Sequence, residues 1–238
     1  MPSSNPNHLD PSELGTREYW DTLYARELRN HAADPSDEGT TWFDDANAEC
    51  KMAQLLGDMA SARQLARETA SLLDLGCGNG SMLFALRAEQ WKGRALGVDY
   101  SPQSVALARQ VASSRGDHDA RTVDFAEWDV MGGSYEGVLS GAQEHGWDVV
   151  LDKGTFDAIS LAGPRSCELY PARVAPLVTK GGLFLVTSCN WTEEELTSWF
   201  VGEDNGAGFV VAGRAEYRTF SFGGVKGQTV STLCFERI

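Results

Sequence analysis

Leu72-Leu73-Asp74-Leu75-Gly76-Cys77-Gly78-Asn79-Gly80 reads as a buried strand that turns through three glycines into a helix. Glycines at such a junction let the backbone approach a ligand and adopt dihedrals closed to other residues. The spacing is G-x-G-x-G, whereas the dinucleotide fingerprint requires G-x-G-x-x-G. Carboxylates then recur along the chain: Asp74 in the first strand, Asp99 closing the second, Asp129 after the third and Asp152 after the fourth. In an open α/β sheet, ligands bind outside the carboxyl ends of the strands, so these four are expected to surround one crevice. Asp99 stands where a carboxylate accepts from both ribose hydroxyls. A like charge at 4 Å costs about 4 kcal/mol at an effective dielectric near 20, so the set opposes a pyrophosphate. It suits a phosphate-free ligand with an amine, a ribose, an adenine amine and a positive sulfur, which is S-adenosylmethionine. Taken singly, each aspartate reads as a solvated turn residue or a cap; their joint placement carries the argument.

The elements that must position these groups follow from periodicity. Thr16 caps a helix with Tyr19, Trp20, Leu23, Tyr24 and Leu28 along one stripe, and 30–41 reads as a polar loop before Trp42 and Phe43. A second helix is predicted from about Ala46 to Thr69. Strands are predicted at Ser71–Leu75, Arg94–Val98, Thr122–Phe125, Trp147–Leu151 and Gly182–Ser188, with a helix opened by Ser101-Pro102 after the second. Thr192 and Glu195 have capping-box spacing at the head of a helix to Phe200, and the chain ends in two strand-like runs that predict a hairpin. Strands alternating with helices give an α/β, doubly wound, mostly parallel sheet. Residues 1–13 read as a tail, 14–70 as an N-terminal helical cap and 71–238 as the α/β domain.

Composition narrows the class. The 238 residues carry a net charge of −14, which repels nucleic acid and favours a basic protein partner or a cationic ligand. No apolar run reaches the roughly 20 residues of a membrane helix, and no secretory signal is visible, so a cytoplasmic protein free of the membrane is expected. The five scattered cysteines predict buried thiols. His8, His31, His118 and His145 fall in polar loops or the tail, away from any ligand spacing, so no metal is expected.

From Ser71 onward the sequence resembles the class I, seven-stranded S-adenosylmethionine-dependent methyltransferases. By that resemblance Gly76, Gly78 and Gly80 line the methionine part with Asp74 in support. Asp99 takes the ribose, Asp129 approaches the adenine amine, and Asp152 lies beside the methyl donor. Tyr100 or Ser101 borders the adenine, with core packing the alternative for Tyr100. The segments "LGTREYWDTLYARELRN", "TWFDD", "LLDLGCGNGSMLFAL", "DKGTFDAISL" and "FSFGGVKGQTVSTLCFERI" are similar, more narrowly, to the elongation factor 1-alpha lysine methyltransferases. That likeness runs over nearly the whole chain from Leu14, the glycine turn being generic and the flanking segments specific. It implies a Rossmann-like seven-stranded sheet with an antiparallel C-terminal hairpin, a monomer, and methylation of a lysine on elongation factor 1-alpha, a basic protein. The chain has Asp152-Lys153-Gly154-Thr155-Phe156-Asp157 where enzymes acting on exocyclic or amide nitrogens often carry N-P-P-Y or D-P-P-Y. Phe156 stands where a Tyr is common.

A lysine amine must shed its proton before attack, which costs about 4.6 kcal/mol at pH 7 when nothing assists. The sequence reading gives Asp152 the task of orienting the amine, with Phe156, Tyr19, Trp42 and Thr155 walling the channel. Ordinary packing on the sheet is the alternative for Tyr19, Trp20 and Trp42, and Lys153 is read as a surface residue. Three rival readings use the same residues: a methyltransferase with another protein or a small molecule as acceptor, a nicotinamide-dependent oxidoreductase, and a non-catalytic cofactor-binding module.

Overall fold

In the computed structural model, residues 8–63, 65–116, 118–201, 208–217, 220–222, 225–227 and 230–238 are described. The chain opens with helix α1 (Arg17–Ala33), whose cap Thr16 accepts from the Tyr19 N–H, and helix α2 (Ala48–Arg63). Then β1 (Leu72–Leu75), α3 (Ser81–Ala88), β2 (Ala95–Asp99), α4 (Pro102–Ser114) and β3 (Val123–Glu127) alternate. β4 (Trp147–Lys153) leads through α5 (Thr155–Ser160) and α6 (Pro164–Val174) to β5 (Val178–Ser188). Helix α7 (Glu193–Phe200), with the Thr192–Glu195 capping box formed, precedes β6 (Phe209–Arg214), β7 (Phe220–Phe222), β8 (Val225–Gly227) and β9 (Ser231–Arg237).

Seven strands form one sheet in the order β3-β2-β1-β4-β5-β9-β6, and β7 pairs with β8 separately. Strands β1 to β5 pair in parallel, while β9 inserts antiparallel between β5 and β6. β1 has β2 on one side and β4 on the other, so the winding direction reverses there. The carboxyl ends of β1 and β4 therefore flank the crevice that such a reversal opens.

Strand alternation splits the core in two. Leu72, Val149, Leu151 and Leu185 pack against Tyr24 of α1, Met52 and Leu56 of α2, Leu83 of α3 and Leu107 of α4. Leu73, Leu75, Val150, Phe184 and Val186 pack against Phe156, Tyr170 and Phe200 on the opposite face. The segment 14–70 thus supplies part of the sheet's own core.

Several local expectations change. The polar loop predicted from residue 30 begins later, because α1 runs to Ala33 and buries His31. The His31 ring lies 2.8 Å from the Asp37 carbonyl and 3.2 Å from Ser114 Oγ, tying that loop to α4. Cys77, Cys167 and Cys234 are buried, whereas Cys50 and Cys189 are exposed. Among the described residues, no helix is long and apolar enough to cross a membrane, and no group of His, Cys, Asp or Glu is gathered to hold a metal.

Candidate active site

A cavity of about 330 Å³ opens at the carboxyl ends of the parallel strands. Its wall on the β2 and β3 side holds Asp99, Tyr100, Trp128, Asp129 and Met131, and its wall on the β4 and β5 side holds Lys153, Gly154, Thr155, Asp157, Cys189 and Asn190. Gly76 lies between them, and α1 with the segment after it contributes Arg17, Trp20, Tyr24, Trp42 and Phe43.

The glycine turn is built for close approach. Gly76 has φ +64° and Gly78 φ +55°, both in the left-handed region. A Cβ on Gly76 would overlap Thr155 Oγ1, and one on Gly78 would sit 2.8 Å from the Tyr24 hydroxyl oxygen. Asp99 is buried and accepts from the N–H groups of Gly78 (3.2 Å) and Ser101 (2.9 Å), which couples the glycine turn to the end of β2. Burial raises the Asp99 carboxyl, against the lowering effect of those donors. Asp129 accepts from the Met131 N–H at 2.9 Å and keeps its other oxygen out of that bond.

At the other end Asp157, on α5, is buried beneath the rim. It accepts from the Ser188 hydroxyl and from the Cys189 N–H at 2.9 Å. Burial raises its carboxyl despite these donors, which moves it toward the range useful to a proton acceptor. Its field adds to burial in pushing the adjacent Cys189 thiol up to about 12, so that thiol is a poor nucleophile.

The lining carries two cations, Arg17 and Lys153, and both are committed. Arg17 donates to the Tyr100 carbonyl at 2.8 Å with its guanidinium 4.3 Å from the centre of the Tyr100 ring. Lys153 Nζ lies 3.3 Å from Glu49 and donates to the Trp42 carbonyl at 3.2 Å. A pyrophosphate would meet Asp99, Asp129 and Asp157 with no uncommitted cation among the lining residues to neutralise it. A nucleoside bearing a sulfonium meets favourable charge, so S-adenosylmethionine fits this lining.

The family described as "Methyltransferase domain" matches residues 66–224. Protein-lysine N-methyltransferase EFM4 of Saccharomyces cerevisiae is 39% identical over 95% of this chain and 96% of its own. EEF1A lysine methyltransferase 2 of Homo sapiens is 35% identical over 96% of this chain and 88% of its own. The chain belongs to this methyltransferase family. S-adenosylmethionine is its methyl donor. In fold it is similar to the magnesium protoporphyrin IX methyltransferase of Synechocystis solved with bound SAM, with a TM-score of 0.59, 16% identity, and 95% and 98% of the two chains covered.

Within the methyltransferase, Gly76, Asp99, Tyr100, Asp129, Trp42 and Thr155 line the cavity, and Gly78 and Gly80 complete the turn behind Gly76. Other residues named from the sequence do not reach it. Asp152 lies within the paired part of β4, opposite Leu75 and Val186, and alternation turns it onto the α5–α7 face. There it is fully buried, accepting from Tyr170 (2.5 Å), Thr155 N–H (2.8 Å) and Phe156 N–H (3.0 Å), and it is not among the lining residues. Phe156 is fully buried as well, with ring centres 5.2 Å from Tyr170 and from Phe200. Asp74 is buried inside β1 and Tyr19 packs edge-on against Trp20, and neither is among the lining residues. Lys153, read from sequence as a surface residue, has a side chain only 10% exposed and faces Glu49. Tyr24, Phe43, Trp128 and Asp157 were missed as lining residues. Asp157 had one usable signal, being the next carboxylate after Asp152 and on a helix opening at the end of β4.

Proposed function

We propose that this methyltransferase transfers the methyl group of S-adenosylmethionine to a lysine side chain of translation elongation factor 1-alpha. The observation that carries the reading is likeness over nearly the full chain to proteins named as lysine methyltransferases, three of them for that factor. The acidic acceptor end and the charge of −14 agree with a basic protein as partner.

When bound, the donor supplies an electrophilic methyl on a positively charged sulfur. Asp99 and Asp129 accept hydrogen bonds from the nucleoside, and the Gly76–Gly80 turn at the head of α3 lets the amino-acid part of the donor lie close against the backbone. Trp42 and Phe43 exclude water from the acceptor end. Asp157 draws in the lysine ammonium, takes up its proton at the carboxylate and aims the freed lone pair, offsetting part of the deprotonation cost. Asp152 acts one layer back by holding the first turn of α5, the helix that carries Asp157 and Thr155.

Purified protein incubated with methyl-labelled S-adenosylmethionine and recombinant elongation factor 1-alpha tests this, with peptide mass spectrometry locating the label. Label on a lysine of the factor is the expected result. Label confined to small molecules or to other proteins of a lysate overturns it.

A further inference from the structure

We propose that Phe43 is the residue that selects the acceptor, a fixed aromatic wall presented to the incoming side chain by a strained and clamped turn. This rests on the lysine-methylation reading and deepens it.

Phe43 has φ +62°, a left-handed conformation that a bulky residue rarely adopts and keeps only where its surroundings impose it. The surroundings do impose it. The Phe43 carbonyl accepts from the N–H groups of Ala46 and Ala48, both at 3.2 Å, and Asn47 bonds back to the Asp44 carbonyl at 2.8 Å. On the other side, Lys153 reaches from the end of β4 to hold the Trp42 carbonyl, and Glu49 of α2 pairs with Lys153 while accepting from Ser81 Oγ. Trp42 is braced edge-on against Trp20, ring centres 5.2 Å apart.

These contacts hold the Phe43 ring against Gly154. A methyl on Gly154 would lie 3.0 Å from the ring's Cε2 and 3.2 Å from its Cζ, so the ring occupies the space a side chain would take. The ring lines the cavity together with Asp157 and Asn190, and the Gly154 it covers opens α5, the helix that carries Asp157. An aromatic wall near a buried carboxylate attracts an ammonium and receives its apolar stem, and a wall already fixed in place loses little entropy on binding. Phe43 lies across the cavity from Asp99 and Asp129, so its contribution belongs to the acceptor and leaves donor binding alone.

The test compares wild type, Phe43→Ala and Phe43→Leu in steady-state kinetics with elongation factor 1-alpha, and measures S-adenosylhomocysteine affinity by calorimetry. Phe43→Ala is expected to raise the KM for the protein acceptor about tenfold or more while the S-adenosylhomocysteine Kd stays within about twofold. Phe43→Leu, which restores an apolar wall, is expected to recover most of that loss. An acceptor KM unchanged in Phe43→Ala overturns the proposal, as does a Kd that rises in step with it. Wild type that methylates no lysine of the factor defeats the underlying reading, and the role of Phe43 falls with it.

Discussion

Replacing Asp157 by Asn separates the charge at the acceptor end from its scaffold. Ser188 Oγ donates to the Asp157 carboxylate while accepting from the N–H groups of Asn190 (3.1 Å) and Trp191 (2.9 Å). Its acceptor capacity is spent, so an Asn amide nitrogen facing it gains no partner, and one turned the other way faces the Cys189 N–H donor; either orientation loses one hydrogen bond. A hydrogen bond to a charged group contributes about 1.5–3 kcal/mol. For a domain of this size each kcal/mol shifts the melting temperature by about 2–4 °C, so Asp157→Asn should melt roughly 3–12 °C lower. Ser188→Ala loses the bond to Asp157 and both turn bonds besides, so its stability falls at least as far, but the carboxylate remains. Kinetics then divide the two: kcat/KM for the protein acceptor should fall about a hundredfold in Asp157→Asn, about 2.7 kcal/mol, and only about fivefold in Ser188→Ala. Equal losses in the two variants would refute an electrostatic role for Asp157 and leave it as scaffold.

Asp99→Asn removes charge from the ribose acceptor and should weaken S-adenosylhomocysteine binding about tenfold or more by calorimetry; affinity within twofold of wild type removes Asp99 from the donor site. Burial pushes the Asp74 and Asp152 carboxyls from an unfolded value of 3.8 up to about 8 and about 7. Their contribution is therefore fully present below pH 3.8 and is lost as pH rises through 7 and 8. The melting temperature of the ligand-free protein should accordingly fall between about pH 4 and pH 8, and Asp74→Asn should flatten that fall; a profile as steep as that of wild type contradicts the assignment. Cys189 is exposed, yet burial of its thiol and the field of Asp157 hold that thiol near 12, so iodoacetamide should label it slowly at about pH 8. Asp157→Asn should speed that labelling, read by peptide mass spectrometry; an unchanged rate contradicts the coupling.

The sheet was legible because its central strands are unbroken apolar runs bounded by glycine and aspartate; Thr16 and Thr192 cap their helices, and Pro102 opens α4 at its first turn. Helices α5 and α6 escaped because the first spans six residues and the second has Pro171 inside it. Strand β5 begins at Val178, four residues before the predicted start, since Lys180-Gly181-Gly182 forms an irregular stretch that periodicity does not reveal. Asp99 closes β2 and lines the cavity, whereas Asp152, read as following the fourth strand, lies inside β4. Pairing there continues two residues past the predicted end, through Asp152 to Lys153, and strand alternation turns Asp152 away from the cavity and Lys153 toward it. Phe43 was invisible for another reason: a left-handed aromatic residue leaves no mark on composition or periodicity, and its strain exists only in the folded chain.

A crystal structure of the protein with S-adenosylhomocysteine and a lysine peptide from elongation factor 1-alpha tests the charge arrangement most directly. The account predicts the ribose on Asp99, the adenine beside Asp129 and the lysine amine between Asp157 and the Phe43 ring. A nucleoside seated on another face of the sheet, or an amine directed away from Asp157, would contradict it.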